Sequence, residues 1–318
     1  MHVGTPIVAK PIPSYILPDH IFYKLNRGIQ GYDRTGVALE FATARHMATH
    51  QNCLYHILYG ENSFNLISRL NGFRNNRVIA TFHHPPSKFA EWFQRKDLLK
   101  QLSAVIIVGR NQLAMFAEVL PEEQIFFVPH PIDTSFYVPP NEFNHRESDL
   151  CLFVGAHLRD LNSLRLIIED ARIIAPHIRF AIVLHRDQVD KFNEVNGNYE
   201  LFSQINENEL LKLYQSASIL VLPLIDSTGN NTILEAMACG LPMIVSDIGS
   251  VRDYVNEKFA KLTPPYNSSI MLEMIMNLLI SRQELEMMSI NAREHAQNFK
   301  WDVVAKRMLD IYEEILLD

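Results

Sequence analysis

One stretch, residues 226–247 (DSTGNNTILEAMACGLPMIVSD), constrains the chain more than any other. An apolar run at 219–224 precedes it and another at 242–246 closes it, and both read as buried strands. Between them, 232–238 reads as a short helix. Ser227, Thr228, Asn230 and Asn231 offer N-caps, and Cys239-Gly240 supplies a C-terminal glycine. A strand, a polar glycine-bearing loop, a helix and a strand in this order point backbone N–H groups and the positive end of a helix at one spot. That spot suits an anion, above all a phosphate. Glu235 falls at an N3- or N4-like position of the helix. A carboxylate there can accept hydrogen bonds from two neighbouring hydroxyls, such as a ribose 2′,3′-diol. It can equally be a capping glutamate that complements the helix dipole.

The segment LEAMACGLPMIVSD (234–247) resembles the donor-site motif of retaining, GT-B-fold glycosyltransferases of family 4 (group 1). In that family the glutamate matching Glu235 holds the nucleotide ribose, and a second glutamate eight residues upstream touches the donor sugar. The upstream position here is Ser227, a departure from the pattern, with Asp226 beside it. The resemblance extends from about residue 20 to 317. It implies an α/β fold of two Rossmann-like, doubly wound domains facing across a cleft, the first binding the acceptor and the second the nucleotide sugar.

The resemblance also assigns roles elsewhere. Thr81-Phe82-His83 is similar to the Thr-x-His segment whose histidine reaches the donor sugar. A polar loop with a histidine pair, His83-His84, is the plainer reading. Gly155 follows the apolar run 150–154 in a turn where the family places an arginine and a lysine on the donor pyrophosphate. Here those places hold Ala156 and Asn162, and Arg159 is the one cation in the turn. It either reaches phosphate or pairs with Asp160 at the surface. Pro129-His130-Pro131-Ile132-Asp133 stands where the family carries a Pro-Asn-Gly-Val-Asp-like segment, a substitution read as structural. The nucleotide-binding set is then Gly31, Gly155, Arg159, Gly229, Asn230, Asn231, Thr232 and Glu235, and the catalytic set is His83, Arg159 and Ser227.

Along the chain, apolar runs alternate with helical patterns joined by short connections, which predicts parallel sheets covered by helices. A first strand is expected at 20–24, followed by a glycine loop with Gly28 and Gly31 and a helix over 35–50. Strands are expected at 54–59, 77–82, 104–108 and 125–128, with helices at 62–70, 88–102 and 110–119. The proline-bearing 139–148 segment reads as the linker. That gives an N-terminal domain at 1–147 and a C-terminal domain at 148–300. A last helix at 301–318 crosses back to the first domain. In the second domain strands are expected at 150–154, 179–184 and 199–205, besides those flanking the central stretch.

Composition narrows the function classes. No run of about 18 apolar residues predicts a membrane-spanning helix. Residues 1–18 carry four prolines and do not resemble a secretory signal. Three well-separated cysteines suggest neither a disulfide framework nor a zinc site, and a reducing cytosol fits. Residues 1–148 hold 14 basic and 12 acidic side chains, and 149–318 hold 15 and 24. No basic stripe points to nucleic acid, and the less acidic first half tolerates an anionic membrane face. No acidic pair at Asp-x-Asp spacing calls for a metal, and no cofactor is expected beyond the donor substrate. The sequence therefore predicts a cytoplasmic, metal-independent, retaining hexosyl-type transferase. It would move sugar from a nucleotide-diphosphate sugar to a sugar, lipid-linked or other hydroxyl acceptor, in polysaccharide or glycolipid synthesis. The alternatives are a degenerate GT-B domain that binds or regulates a partner, favoured by Ser227, Ala156 and Asn162, and a GT-B-fold sugar-nucleotide epimerase.

Overall fold

The computed structural model describes residues 7–8, 10–14, 16–25, 32–93 and 95–317. The chain forms two compact units: Met1–Pro129 with Ala305–Asp318, and His130–Val304. The loop containing Gly28 and Gly31 lies outside the described residues, so the assignment of Gly31 to nucleotide binding has no structural counterpart here.

The first unit is built on a parallel four-stranded sheet: β1 (Leu54–Ile57), β2 (Arg77–Phe82), β3 (Ala104–Ile107) and β4 (Ile125–Phe127), in that order. Every residue of β3 (AVII) is buried, as expected of a strand covered on both faces. Phe64, Phe82, Phe89, Phe93 and Phe116 are fully buried together and form the centre of this core. Helix Arg34–Thr49 starts at Asp33, whose side chain accepts from the Gly36 amide. Its buried Glu40 accepts from the consecutive amides of Asn65, Leu66 and Ile67 at 2.7–2.8 Å and from the Tyr32 hydroxyl. One carboxylate thus satisfies a turn that would otherwise bury its amides unpaired. From Ala305 onward the last helix, Trp301–Leu317, belongs to this unit, and Tyr312 meets the His56 ring at 2.5 Å.

The expected strand at 20–24 is a helix, Asp19–Leu25. Pro18 offers its carbonyl to the Ile21 and Phe22 amides, and Asp19 and Lys24 sit at the dipole ends that favour their charges. Ile21 and Tyr23 are exposed, so the segment lacks the burial expected of a strand. Three predicted helices are each broken in two. The 62–70 segment gives Gly60–Ser63 and the 3₁₀ turn Ile67–Leu70. The 88–102 segment gives Pro86–Trp92 and Lys96–Leu99, and 110–119 gives Arg110–Gln112 and Leu113–Ala117.

The second unit has six parallel strands: β5 (Leu150–Val154), β6 (Arg179–Val183), β7 (Tyr199–Phe202), β8 (Ile219–Leu222), β9 (Met243–Ser246) and β10 (Ala260–Thr263). Their order is β10-β9-β8-β5-β6-β7. The sequence reading did not register β10, a short edge strand whose middle residues, Lys261 and Leu262, are only half-buried. From β5 the chain proceeds to one side of the sheet and from β8 to the other. Between these two strands the winding reverses, and ligands of doubly wound sheets gather at the carboxyl ends beside such a reversal.

The division between the units falls after Pro129, ahead of the 139–148 linker that the sequence suggested. Two arginines explain why. Buried Arg146 donates to the carbonyls of Tyr214, Ala217, Cys239 and Gly240 at 2.7–3.0 Å. Arg293 donates to those of Thr134, Tyr137 and Ala238 at 2.8–2.9 Å. Together they bind residues 130–147 to the second unit. Replacing Arg146 by Met strands several buried carbonyls, each worth roughly 1–3 kcal/mol when left unsatisfied. Arg146→Met is expected to lower unfolding free energy by about 3–5 kcal/mol in urea titrations, and Arg146→Lys by less.

Candidate functional site

Two loops leave the carboxyl ends of β5 and β8 at the reversal point. After β5 the chain turns through Gly155 (φ 95°) and Leu158 (φ 57°), both left-handed. The Asp160 amide donates to the Pro223 carbonyl and the Ile225 amide to the Leu158 carbonyl, each at 3.0 Å, so the turn is sewn to the β8 loop. This places Arg159 between them. Its Nε donates to the Val154 carbonyl at 3.0 Å and Nη1 to that of His157 at 3.1 Å. Nη2 reaches Thr232 Oγ1 at 3.0 Å and Asn230 Oδ1 at 3.4 Å. A Cβ on Gly155 would lie 3.1 Å from Nη2, so the glycine also makes room for the guanidinium. Pairing of Arg159 with Asp160 is not what the structure contains. Asp160 caps helix Leu161–Ile174 and accepts from the Ser163 amide at 3.0 Å and hydroxyl at 2.6 Å. Burial brings Arg159 down to about 10 from its ordinary 12.5, with the charge of Glu235 acting against the shift. It remains a cation at any physiological pH.

The β8 loop leads into helix Asn231–Ala238, capped by Asn230, which accepts from the Ile233 amide. Thr228, Asn230 and Thr232 are buried. Ser227 is buried too, with its hydroxyl directed to the Thr228 carbonyl at 3.3 Å and its own carbonyl accepting from the Ser250 amide at 2.9 Å. Its contacts hold the loop in shape. Asp226 accepts from the Ser227 amide at 2.7 Å.

Glu235 stands one or two positions further into the helix than the N3- or N4-like place the sequence suggested, because the cap is Asn230. It is therefore not an N-terminal capping glutamate. Its Oε2 accepts from the buried Tyr214 hydroxyl at 2.7 Å. Burial pushes its carboxyl up from 4.5 to about 7, although the Tyr214 hydroxyl, the Arg159 charge and a bond from Tyr137 all favour ionisation. A carboxylate this desolvated, with an arginine acting on it from the neighbouring loop, is a strong candidate for a ligand-binding group.

The sequence did not single out Tyr214, Tyr137 or the position of His130. Tyr214 comes from helix Glu207–Ser216 and Tyr137 from the segment that Arg293 secures. No local spacing links either to Glu235. His130 closes over the donor-like loop: a Cβ on Gly229 would lie 2.8–2.9 Å from its ring. Its Nδ1 is 3.0 Å from Asn231 Oδ1, and its amide donates to the Tyr254 hydroxyl at 3.2 Å. The loop signal "Asn-Gly replaced by His-Pro" was visible, but its proximity to Gly229 was not.

Gly155, Arg159, Ser227, Gly229, Asn230, Asn231, Thr232 and Glu235 thus come together within the second unit. His83 belongs to the first. It follows β2 directly and is half-buried. Its amide and that of His84 donate to Glu61, and its ring stacks on Tyr59 with centroids 4.6 Å apart.

The fold is that of the GT-B glycosyltransferases. Sucrose-phosphate synthase from Thermosynechococcus elongatus superposes with a TM-score of 0.74 at 17% identity, over 99% of this chain and 86% of that one. Anabaena Alr3699/HepE in complex with UDP superposes at 0.71 and 14% identity, over 88% and 83%. Within that fold, residues 148–281 match the family described as Glycosyl transferases group 1. The D-inositol 3-phosphate glycosyltransferase of Saccharomonospora viridis is 26% identical over 137 residues, or 43% of this chain. That alignment covers 30% of the relative's length.

The Glu235 shift has a consequence for stability. The folded carboxyl, at about 7, holds its proton more tightly than the unfolded one near 4.5. This contribution favours the folded state at low pH and is lost as pH rises to about 7. Glu235→Gln removes the cost of ionising the buried group. Without ligand, the variant is expected to unfold at higher urea than wild type at pH 8, by at most about 3 kcal/mol. The advantage should shrink as pH is lowered towards 5.

Proposed function

We propose that this chain is a retaining glycosyltransferase that moves a hexosyl-type sugar from a nucleotide-diphosphate sugar to a hydroxyl acceptor. The acceptor is a sugar, a lipid-linked sugar or another alcohol, in cytoplasmic polysaccharide or glycolipid synthesis. One observation carries the reading: at the winding reversal, a half-buried guanidinium held by both loops and a helix N-terminus stand beside a desolvated carboxylate. A diphosphate needs the first two, and a ribose diol needs the third. The occurrence of UDP in the Anabaena Alr3699/HepE complex agrees with this donor class.

In the reaction, the bond from the sugar's anomeric carbon to the diphosphate breaks while that carbon bonds to the acceptor oxygen on the same face. The acceptor's proton passes to an oxygen of the departing diphosphate. Negative charge grows on the leaving group. Arg159 and the amides at 229–232 are assigned to stabilise it, a form of preorganised electrostatic catalysis that needs no metal. We assign Glu235 to the ribose, Gly155 to the close approach of the diphosphate, and His83 to turnover rather than nucleotide affinity. Ser227, occupied within its own loop, stands where the family has its sugar-contacting glutamate. That departure favours one second reading, a domain that binds nucleotide sugar without transferring it. Detectable transfer or donor hydrolysis by the purified protein excludes it.

Two measurements test the assignment. A hydrogen bond to a charged group contributes roughly 1.5–3 kcal/mol, or about ten- to a hundredfold in dissociation constant. Titration calorimetry should show Glu235→Ala weakening the nucleoside diphosphate by that factor while leaving its 2′,3′-dideoxy analogue nearly unaffected. Equal loss for both ligands would remove Glu235 from the diol. Transfer activity is also expected to survive excess EDTA. Abolition by EDTA with rescue by magnesium or manganese would count against charge stabilisation by Arg159 and the helix terminus.

A further inference from the structure

Behind His83 lies a carboxylate that the donor-site argument does not use. Glu61 is the second residue of the short helix Gly60–Ser63, whose N-cap Tyr59 lies two residues beyond the end of β1, and it is buried. One of its oxygens, Oε1, accepts from two consecutive amides, those of His83 and, at 2.9 Å, His84. The other, Oε2, stands 3.6 Å from His83 Nδ1. Its carboxyl is held below the usual carboxylate range: burial works against ionisation, and the hydrogen bonds and charge of His83 outweigh it. Tyr59, two residues earlier, stacks on the ring with an interplanar angle of 26°. A single turn therefore supplies a carboxylate to one edge of the imidazole and an aromatic surface to its face.

A carboxylate accepts hydrogen bonds and does not donate them. At 3.6 Å from Nδ1, just beyond hydrogen-bond range, its charge favours the tautomer in which Nδ1 carries the proton and Nε2 keeps its lone pair. The second-group logic of catalytic histidines, in which a carboxylate orients a ring and fixes its tautomer, is met here by Glu61. The pair of hydrogen bonds from the His83 and His84 amides to Oε1 also fixes where the ring leaves the backbone. Glycine at position 60 is required for this turn, since a Cβ there would lie 2.6 Å from the Phe82 ring.

We propose that Glu61 is the positioning residue of His83: it holds the Nδ1–H tautomer and presents Nε2 as the nitrogen offered to substrate. The inference rests on the assignment of His83 to turnover made above, and its test separates the two.

Glu61→Gln keeps one carbonyl oxygen for the His83 and His84 amides but can place an amide donor opposite Nδ1. The variant should invert the tautomer without dismantling the turn. In protein labelled with ¹⁵N-histidine and held at pH 8, the imidazole missing from His83→Ala identifies the His83 signals. Wild type is expected to show protonated Nδ1, and Glu61→Gln protonated Nε2. Turnover by Glu61→Gln should fall about tenfold or more, with nucleoside-diphosphate affinity within twofold of wild type. Glu61→Asp, which retains the acceptor, should keep the wild-type tautomer and recover part of the activity. Protonated Nε2 in wild type overturns the proposal whether or not any variant folds. So does an unchanged tautomer, or wild-type turnover, in Glu61→Gln. A tautomer that switches in a protein with no turnover in any form supports Glu61's hold on the ring and removes the transferase reading instead.

Discussion

Arg159 is held by both loops that leave the sheet where its winding reverses, and the donor-like site depends on that double attachment. The Val154 and His157 carbonyls fix the guanidinium from the β5 side, and Asn230 and Thr232 fix it from the β8 side. Each contact is a modest bond, but they act on a planar fork that loses little freedom on being fixed. The surrounding geometry serves this placement. Gly155 must lack a side chain, Leu158 must adopt a left-handed backbone, and Asp160 must be occupied with its own helix so that it does not neutralise the cation. A left-handed non-glycine residue is costly, and such cost is found where structure over-determines a position.

The same logic applies to Glu235. A carboxyl raised to about 7 disfavours the ionised ligand-free protein, and no packing need explains keeping it. Hydrophobic replacements of buried charge are often neutral or stabilising. The retention of glutamate beside Tyr214, Tyr137 and Arg159 makes sense if a ligand supplies the remaining hydrogen bonds. The site is then destabilised when empty and satisfied when full, the usual relation between function and stability at a binding site.

Much of this was legible in the sequence because it is local. The runs at 150–154 and 219–222 are apolar throughout, and 77–82 is apolar but for Arg77 and Thr81; strands covered on both faces need no finer pattern than that. The cap and glycine around helix Asn231–Ala238 lie within a dozen residues, so helix, loop and phosphate-binding character could be read together. What failed was equally physical. Residues 20–24 centre on three consecutive apolar residues, but such a run marks a strand only where it is buried, and Ile21 and Tyr23 are exposed. β10 is an edge strand with half-buried middle residues, so it lacks the apolar run that marks its neighbours. The predicted helices of the first unit break between Ser63 and Ile67, between Trp92 and Lys96 and at Gln112, in mixed polar and apolar sequence where propensity alone does not tell one helix from two short ones. Tyr214, Tyr137, His130 and Glu61 reach their partners across 21 to 101 positions of sequence, beyond any spacing rule. The resemblance supplied the ribose role of Glu235, while the capping pattern placed it one or two positions too early, because Asn230 makes the cap.

The second half of the chain carries 15 basic and 24 acidic side chains, yet it contains the proposed anion site. Net charge and local chemistry act over different distances. At physiological ionic strength, exposed charges more than about 8 Å away are largely screened, whereas partly buried groups are screened far less. The acidic excess therefore has little hold on an anion proposed to sit between the two loops. A half-buried guanidinium and an aligned helix terminus act at close range in a setting of lowered dielectric, where each counts for more than in water. The family's two cations are replaced here by Ala156 and Asn162. In the proposed donor site, Arg159 and the amides of the 229–232 loop then carry the charge that those two cations would share. A site so constructed depends on the exact folding of its loops rather than on the number of its cations, which is why Leu158, Gly155 and the buried loop residues matter as much as the arginine they hold.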